Sequence, residues 1–139
     1  MRRRAARSST VLLLTLLTIA LPAGGQSASA QQQSAIQRKV LLQQDLNFPG
    51  LQMVTTLVEI PVGISEVRHT HPGVLGIYVL EGTITVEHEG RPRAVYKAGE
   101  SFHIDAGKIH QGINAGSAPI KLIATLVAEK GKPLSTPLP

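Results

Sequence analysis

HTHPGVLGIYVLEG, residues 69 to 82, sets two histidines two positions apart in front of an apolar run that closes on a Glu-Gly turn. In an extended strand, residues i and i+2 point to the same face, so His69 and His71 can present their imidazoles side by side. Beyond them Leu75, Ile77 and Val79 alternate with Gly76, Tyr78 and Leu80. The odd positions are the set expected on the ligand face, with Tyr78 turned to the outer layer. A second stretch, GESFHIDAGKIHQGIN from Gly99 to Asn114, brings a third histidine, His110, after a glycine turn. An imidazole from that distant strand would complete one face of a metal's coordination sphere.

Working outward from these two stretches, the pattern is one of short apolar runs broken by glycine and proline. Val40 to Leu42, Gln52 to Ile60, Ser65 to His69, Leu75 to Leu80 and Thr83 to His88 are expected strands. So are Ala94 to Tyr96, Ser101 to Ile104, Gln111 to Asn114 and Lys121 to Ala128, and Arg91 to Arg93 reads as the start of a return strand. Many short strands at this spacing predict an all-β antiparallel sandwich or barrel. No segment past residue 30 carries a helical period, and no internal repeat divides the chain. The expected organisation is a polar arm over 31–39, one barrel over 40–128 and an irregular tail over 129–139, where Gly131, Pro133, Pro137 and Pro139 break any pattern.

Residues 1–30 read as a cleavable signal peptide. Arg2, Arg3, Arg4 and Arg7 are followed by the apolar run Val11 to Leu21 and a small-residue end, Ala28-Ser29-Ala30. The run falls short of the roughly 20 residues a membrane span requires, so no stable anchor is expected after cleavage. A twin-arginine signal is disfavoured, because Ala5, Ala6 and Arg7 follow the arginines where large apolar residues belong. The expected location is periplasmic or secreted.

The same segment holds four of the fourteen basic residues and none of the nine acidic ones. The formal +5 of the full chain therefore shrinks to near neutrality in the remainder, and with only two Tyr and two Phe nothing favours nucleic acid. The chain has no cysteine, which rules out disulfides and thiolate ligands, so any metal must be held by imidazole or carboxylate.

The two histidine stretches resemble the paired motifs of the cupin superfamily. Its first motif, G-x5-H-x-H-x3-4-E-x6-G, is matched by Gly63, His69, His71 and Gly82. Its second, G-x5-P-x-G-x2-H-x3-N, is matched by Gly99, Gly107, His110 and Asn114. The resemblance spans Leu57 to Val127 and implies a cupin-type jelly-roll β-barrel. It departs at two places: Leu75 stands where the motif has glutamate, with Gly76 beside it, and Asp105 stands where the motif has proline. Three-histidine sites occur in cupins, some thiol and diketone dioxygenases holding iron(II) among them. The implied metal ligands are His69, His71 and His110. Small cupins also often pair through their outer sheet faces, which implies a homodimer.

Three neutral imidazoles suit a divalent transition metal, Fe or Zn first and Ni or Cu also, rather than Mg, Ca or Mn. Without a carboxylate the full +2 charge remains and coordination positions stay open for a small-molecule ligand or substrate. The functional expectation is a dioxygenase-like enzyme acting on a small organic molecule. The alternative is a non-catalytic periplasmic metal- or small-ligand-binding protein, which Leu75 keeps open. His103 and Asp105 are expected to face outward, His103 being the reserve fourth ligand and Asp105 a turn-former or a partner of a ligand. His88 is read as a strand-end residue at the barrel rim, Asn114 as a hydrogen-bonding turn residue, and Arg68 as having no role. Met53, Leu57 and Ile123 line either the barrel mouth or the core.

Overall fold

A computed structural model describes residues 33–138. The expected signal peptide over 1–30 and the first residues of the arm lie outside these described residues.

Ten strands build two five-stranded antiparallel sheets. They are β1 (Gln37–Asp45), β2 (Leu51–Ile60), β3 (His69–Thr70), β4 (Val74–Glu81), β5 (Thr83–His88), β6 (Ala94–Lys97), β7 (Ser101–Ile104), β8 (His110–Ile113), β9 (Ile120–Glu129) and β10 (Thr136–Pro137). One sheet has the order β1-β2-β9-β4-β7 and the other β10-β3-β8-β5-β6. This is the antiparallel β-barrel that the alternating patterns predict, with the jelly-roll arrangement that the resemblance implies. Along β4 the exposure alternates strictly, with Leu75, Ile77 and Val79 buried and Val74, Gly76, Tyr78 and Leu80 exposed. The inward residues join Val58, Ile60, Ile84, Val86, Ile104, Ile120, Leu122 and Leu126 in one core between the sheets. Burying such side chains supplies about 1.5–3 kcal/mol each, the main favourable term in a protein without disulfides.

Turn chemistry fixes where the strands reverse. Gly82 joins β4 to β5 with φ near 82°, and a Cβ there would lie 2.6 Å from the Pro119 carbonyl oxygen, so only glycine fits.

The structure differs from the sequence reading at four edges. β1 begins at Gln37, inside the expected arm, and all nine of its residues are exposed. Its apolar alternation is weak because its order comes from the long antiparallel ladder to β2, which runs from Gln37↔Glu59 to Asp45↔Gln52. Just ahead of it, Gln33 to Ala35, where the described residues begin, are helical. The tail is not wholly irregular, since Thr136 and Pro137 pair with Thr70 and His69. Arg91 to Arg93 stay outside any strand, and β6 starts at Ala94, past a proline that cannot donate to a ladder.

Ser65 to His69 contributes only the two residues of β3 and an isolated bridge between Ser65 and Ile113. Between them the Glu66 N–H donates to the Gly112 carbonyl at 2.9 Å, while the Gly112 N–H donates to Oε2 of Glu66 at 3.2 Å. A side-chain carboxylate takes the place of the backbone acceptor that a regular ladder would offer.

Candidate metal centre

His69 lies on β3, His71 immediately beyond it, and His110 opens β8 directly across from His69 in the strand register. His69 and His110 are each 6% exposed. Their ring centroids are 4.3 Å apart, and His71 stands 4.9 Å from His69 and 5.1 Å from His110. One ligand atom from each ring lies within 4.8 Å of the others.

Hydrogen bonding fixes which nitrogen each ring offers. His69 Nδ1 contacts the Val67 carbonyl at 2.8 Å, His71 Nδ1 the Leu134 carbonyl at 2.6 Å and His110 Nδ1 the Lys108 carbonyl at 3.0 Å. A carbonyl oxygen only accepts, so in each ring Nδ1 carries a proton and Nε2 is the nitrogen left to ligate. Three Nε2 lone pairs on one site, each ring oriented by a backbone carbonyl, is the arrangement histidine metal ligands adopt. Burial, foremost, together with the neighbouring imidazoles, lowers the pKa of His71 below its ordinary value and takes that of His110 down to about 4. Both rings are neutral at physiological pH, as ligation demands. The donor set fits a borderline transition metal, for which about 2.0–2.1 Å to each nitrogen is required.

The trio lines one wall of a cavity of about 510 Å³. Leu75, Ile77, Phe102, Leu122 and Leu126 supply apolar surface, and small-molecule sites have this size and character. At the motif's glutamate position Leu75 is 8% exposed and faces this cavity, leaving that wall apolar.

The remaining residues singled out above fall mostly where strand parity puts them. His103 is on the outside, near Arg91 and 3.5 Å from Asp105, so it is remote from the site as a fourth ligand. Asp105 pairs with Arg91 at 2.6 Å on the surface and contributes no oxygen to the trio. Tyr78 is 45% exposed on the outer face. Asn114 is buried and structural: its Nδ2 donates to the carbonyls of Ile60 and Ala118, and its Oδ1 accepts from Gly116 N–H. Arg68 takes part through its backbone, its carbonyl accepting from Leu138 N–H. Met53, Leu57 and Ile123 do not line the cavity; Val54, Val58, Leu122 and Ala124, of the opposite parity, do.

His88 lies opposite His110 in the β5–β8 register, so β3, β8 and β5 carry a row of histidines across one sheet. Its Nδ1 contacts the Glu89 carbonyl at 2.8 Å, and its buried Nε2 has no hydrogen-bond partner among the described residues.

Two contributions escaped the sequence reading. Leu134, in the tail, orients His71 through its carbonyl, a backbone role that no side-chain pattern signals. Glu66 and Arg38 line the same cavity, and Arg38 Nη2 lies 2.8 Å from Glu66 Oε1. Glu66 sits three residues before His69, a proximity that was the available cue.

Comparison with known proteins agrees with this architecture. The family model described as a cupin domain matches residues 56–126. No curated protein matches the chain. Among solved structures, a cupin-like protein from Thermotoga maritima superposes with a TM-score of 0.61 at 19% identity, over 74% of this chain and 75% of that one. A protein with a double-stranded β-helix domain from Klebsiella pneumoniae gives 0.61 at 17% identity, over 81% and 96%. A DMSP lyase from Ruegeria pomeroyi gives 0.64 at 17% identity, over 88% of this chain and 58% of that one. At these identities the likeness is one of fold.

Proposed function

The chain belongs to the cupin domain family, and from that premise we propose that it is an exported metalloprotein whose three-histidine centre acts on a small organic molecule, as a dioxygenase-like enzyme does. The observation that carries this reading is the set of three Nε2 atoms, on His69, His71 and His110, at the wall of a largely apolar cavity. Iron or zinc is the favoured occupant, with nickel or copper also suited to imidazole. When bound, such a metal would supply Lewis-acid or redox chemistry to a ligand in the cavity.

What the protein itself contributes is positioning. The carbonyls of Val67, Leu134 and Lys108 engage Nδ1 of the three rings and leave each Nε2 to face a metal. Leu75, Ile77, Phe102 and Leu126 displace water and lower the local dielectric, which strengthens attraction between a divalent centre and an anionic or enolate-like ligand. With no carboxylate at position 75, the three imidazoles alone would leave that charge in place.

The basic start, apolar run and Ala28-Ser29-Ala30 end support export to the periplasm or outside the cell. The outer faces of β4 and β9 leave Val74, Tyr78, Leu80 and Val127 exposed, which supports pairing of two copies through this sheet.

Elemental analysis of protein purified from its export compartment tests the centre, with one equivalent of Fe or Zn expected. Oxygen uptake by the iron-loaded protein over thiols, diketones and phenolics tests the chemistry. Stoichiometric metal without uptake would favour the non-catalytic binding protein that the apolar Leu75 wall also accommodates. Manganese, or no metal, would overturn the centre itself.

A further inference from the structure

Arg38 and Glu66 reach the cavity from elements far apart in the sequence. Arg38 stands opposite Val58 in the β1–β2 register, and Val58 is on the inner face of β2, so Arg38 shares that face. Its Nη2 donates to Glu66 Oε1 at 2.8 Å.

Glu66 is fixed independently of Arg38. Its backbone N–H donates to the Gly112 carbonyl, and its Oε2 accepts from the Gly112 N–H. The lack of a side chain at Gly112 leaves room for this seat, since a Cβ there would meet Glu66 Oε2 at 2.8 Å and Ile84 Cδ1 at 2.9 Å and push both side-chain ends aside. The carboxylate, 15% exposed, is a rigid post against which the 41% exposed guanidinium rests. Apart from the three imidazoles, these are the only ionisable side chains among the described residues lining the cavity.

An ion pair with one half this exposed contributes little to stability, so folding alone gives weak reason for its place on the wall. A guanidinium has five N–H donors in a planar fork, and the contact with Glu66 accounts for one of them. We propose that Arg38, braced by Glu66, receives the carboxylate of a small organic acid whose apolar body fills the cavity toward the histidine trio.

This names the ligand class for the pocket described above and rests on that reading. A carboxylate matches the planar fork in two-point contact, which an alcohol or amide cannot reproduce. Val54, Val58, Ile77 and Phe102 suit an apolar body. Glu66 repels a ligand carboxylate that approaches on its own side, so the pair orients the acid as well as holding it.

Calorimetric titration of the metal-loaded protein with two matched pairs, hexanoate against 1-hexanol and phenylacetate against 2-phenylethanol, tests the assignment. Each acid is expected to bind at least tenfold tighter than its alcohol. Arg38→Gln should abolish the preference while leaving alcohol affinity unchanged, and Arg38→Lys should keep part of it. His110→Ala, which lacks a ligand of the metal, should retain the preference.

Equal binding of acid and alcohol, or no binding of either, overturns the proposal. So does a preference that survives in Arg38→Gln but vanishes in His110→Ala, for the metal would then be the carboxylate's partner. Parallel loss of both affinities in Arg38→Gln, with an altered thermal transition, would make Arg38 merely structural and equally ends the idea. If the protein holds no metal yet Arg38 still governs the preference, the metal reading fails and this assignment stands.

Discussion

His69 faces His110 across the single register pair that joins β3 to β8, with their ring centroids 4.3 Å apart. The site is thus built on the narrowest seam of its sheet, two residues of β3 held between β8 and β10. Cross-strand neighbours of this kind are brought together by the backbone pairing, which gives the candidate metal site a preformed geometry.

Removing one of these imidazoles should therefore empty the site without unfolding the barrel. His110→Ala is expected to lower affinity for Zn(II) by about a hundredfold or more, beyond the 10–100-fold typical of losing a supporting contact. The control is His103→Ala, which alters a surface residue and should leave metal content unchanged. Plasma emission analysis with circular dichroism on both variants checks the pair, and equal metal in the two would refute the centre.

The metal-free protein should lose stability as the solution becomes mildly acidic. His110 has a folded pKa of about 4 against an ordinary 6.5, and that of His71 is also lowered. A folded pKa below the unfolded value means that the unfolded chain binds more protons between the two. Stability then rises with pH through that window and levels off above about pH 7. The His110 contribution is bounded at about 3–4 kcal/mol, since the shift from 6.5 to about 4 is worth about 1.4 kcal/mol for each tenfold change in proton affinity. Urea titrations of the metal-free protein from pH 4 to 8 should show this slope, and His110→Ala should flatten most of it. Bound metal should also survive to lower pH than solvent-exposed imidazoles would allow.

Much of this was legible in the sequence because chemistry and periodicity coincide there. The alternation in β4 and the paired histidines need only strand geometry to be read, and His110 follows from the motif that carries it. What escaped reading lacked such a signal. In β2 both faces carry apolar residues, Met53 and Leu57 on one and Val54 and Val58 on the other, so composition does not choose the inner one. β1 has nine exposed residues and takes its order from β2. Leu134 acts through a carbonyl that every residue type possesses. Glu66 belongs to no repeating pattern, and its partner is a backbone N–H at Gly112, forty-six positions away.

Asn114 should prove indispensable to folding and irrelevant to metal chemistry. It is 1% exposed and ties the end of β8 to Ile60, Ala118 and Gly116. Asn114→Ala would take its partner from the buried Ile60 carbonyl and untie the exposed turn at Gly116 and Ala118, at about 1–3 kcal/mol for a buried orphaned group. A loss of about 3 kcal/mol in denaturant unfolding, with metal stoichiometry intact in the folded fraction, is expected. Loss of metal at unchanged stability would instead make Asn114 part of the site.

Restoring the motif glutamate tests why this pocket does without one. Leu75 pairs with Ile104 and Leu126 in the flanking strands and is 8% exposed, so Leu75→Glu puts a carboxylate into an apolar wall. Without metal, the variant sacrifices leucine packing, about 2–5 kcal/mol for truncation of such a residue, and burial raises the new carboxyl's pKa. With metal, the carboxylate becomes an oxygen donor next to three imidazoles. That moves the site toward manganese and reduces its net charge from +2 to +1. Mn(II) should therefore raise the melting temperature of Leu75→Glu by several degrees and that of the wild type hardly at all. Leu75→Gln, which has nearly the same shape and no charge, should show the packing loss without the manganese response. If manganese stabilises neither glutamate nor glutamine variant, position 75 is out of reach of the centre, and the apolar wall is a matter of ligand fit alone.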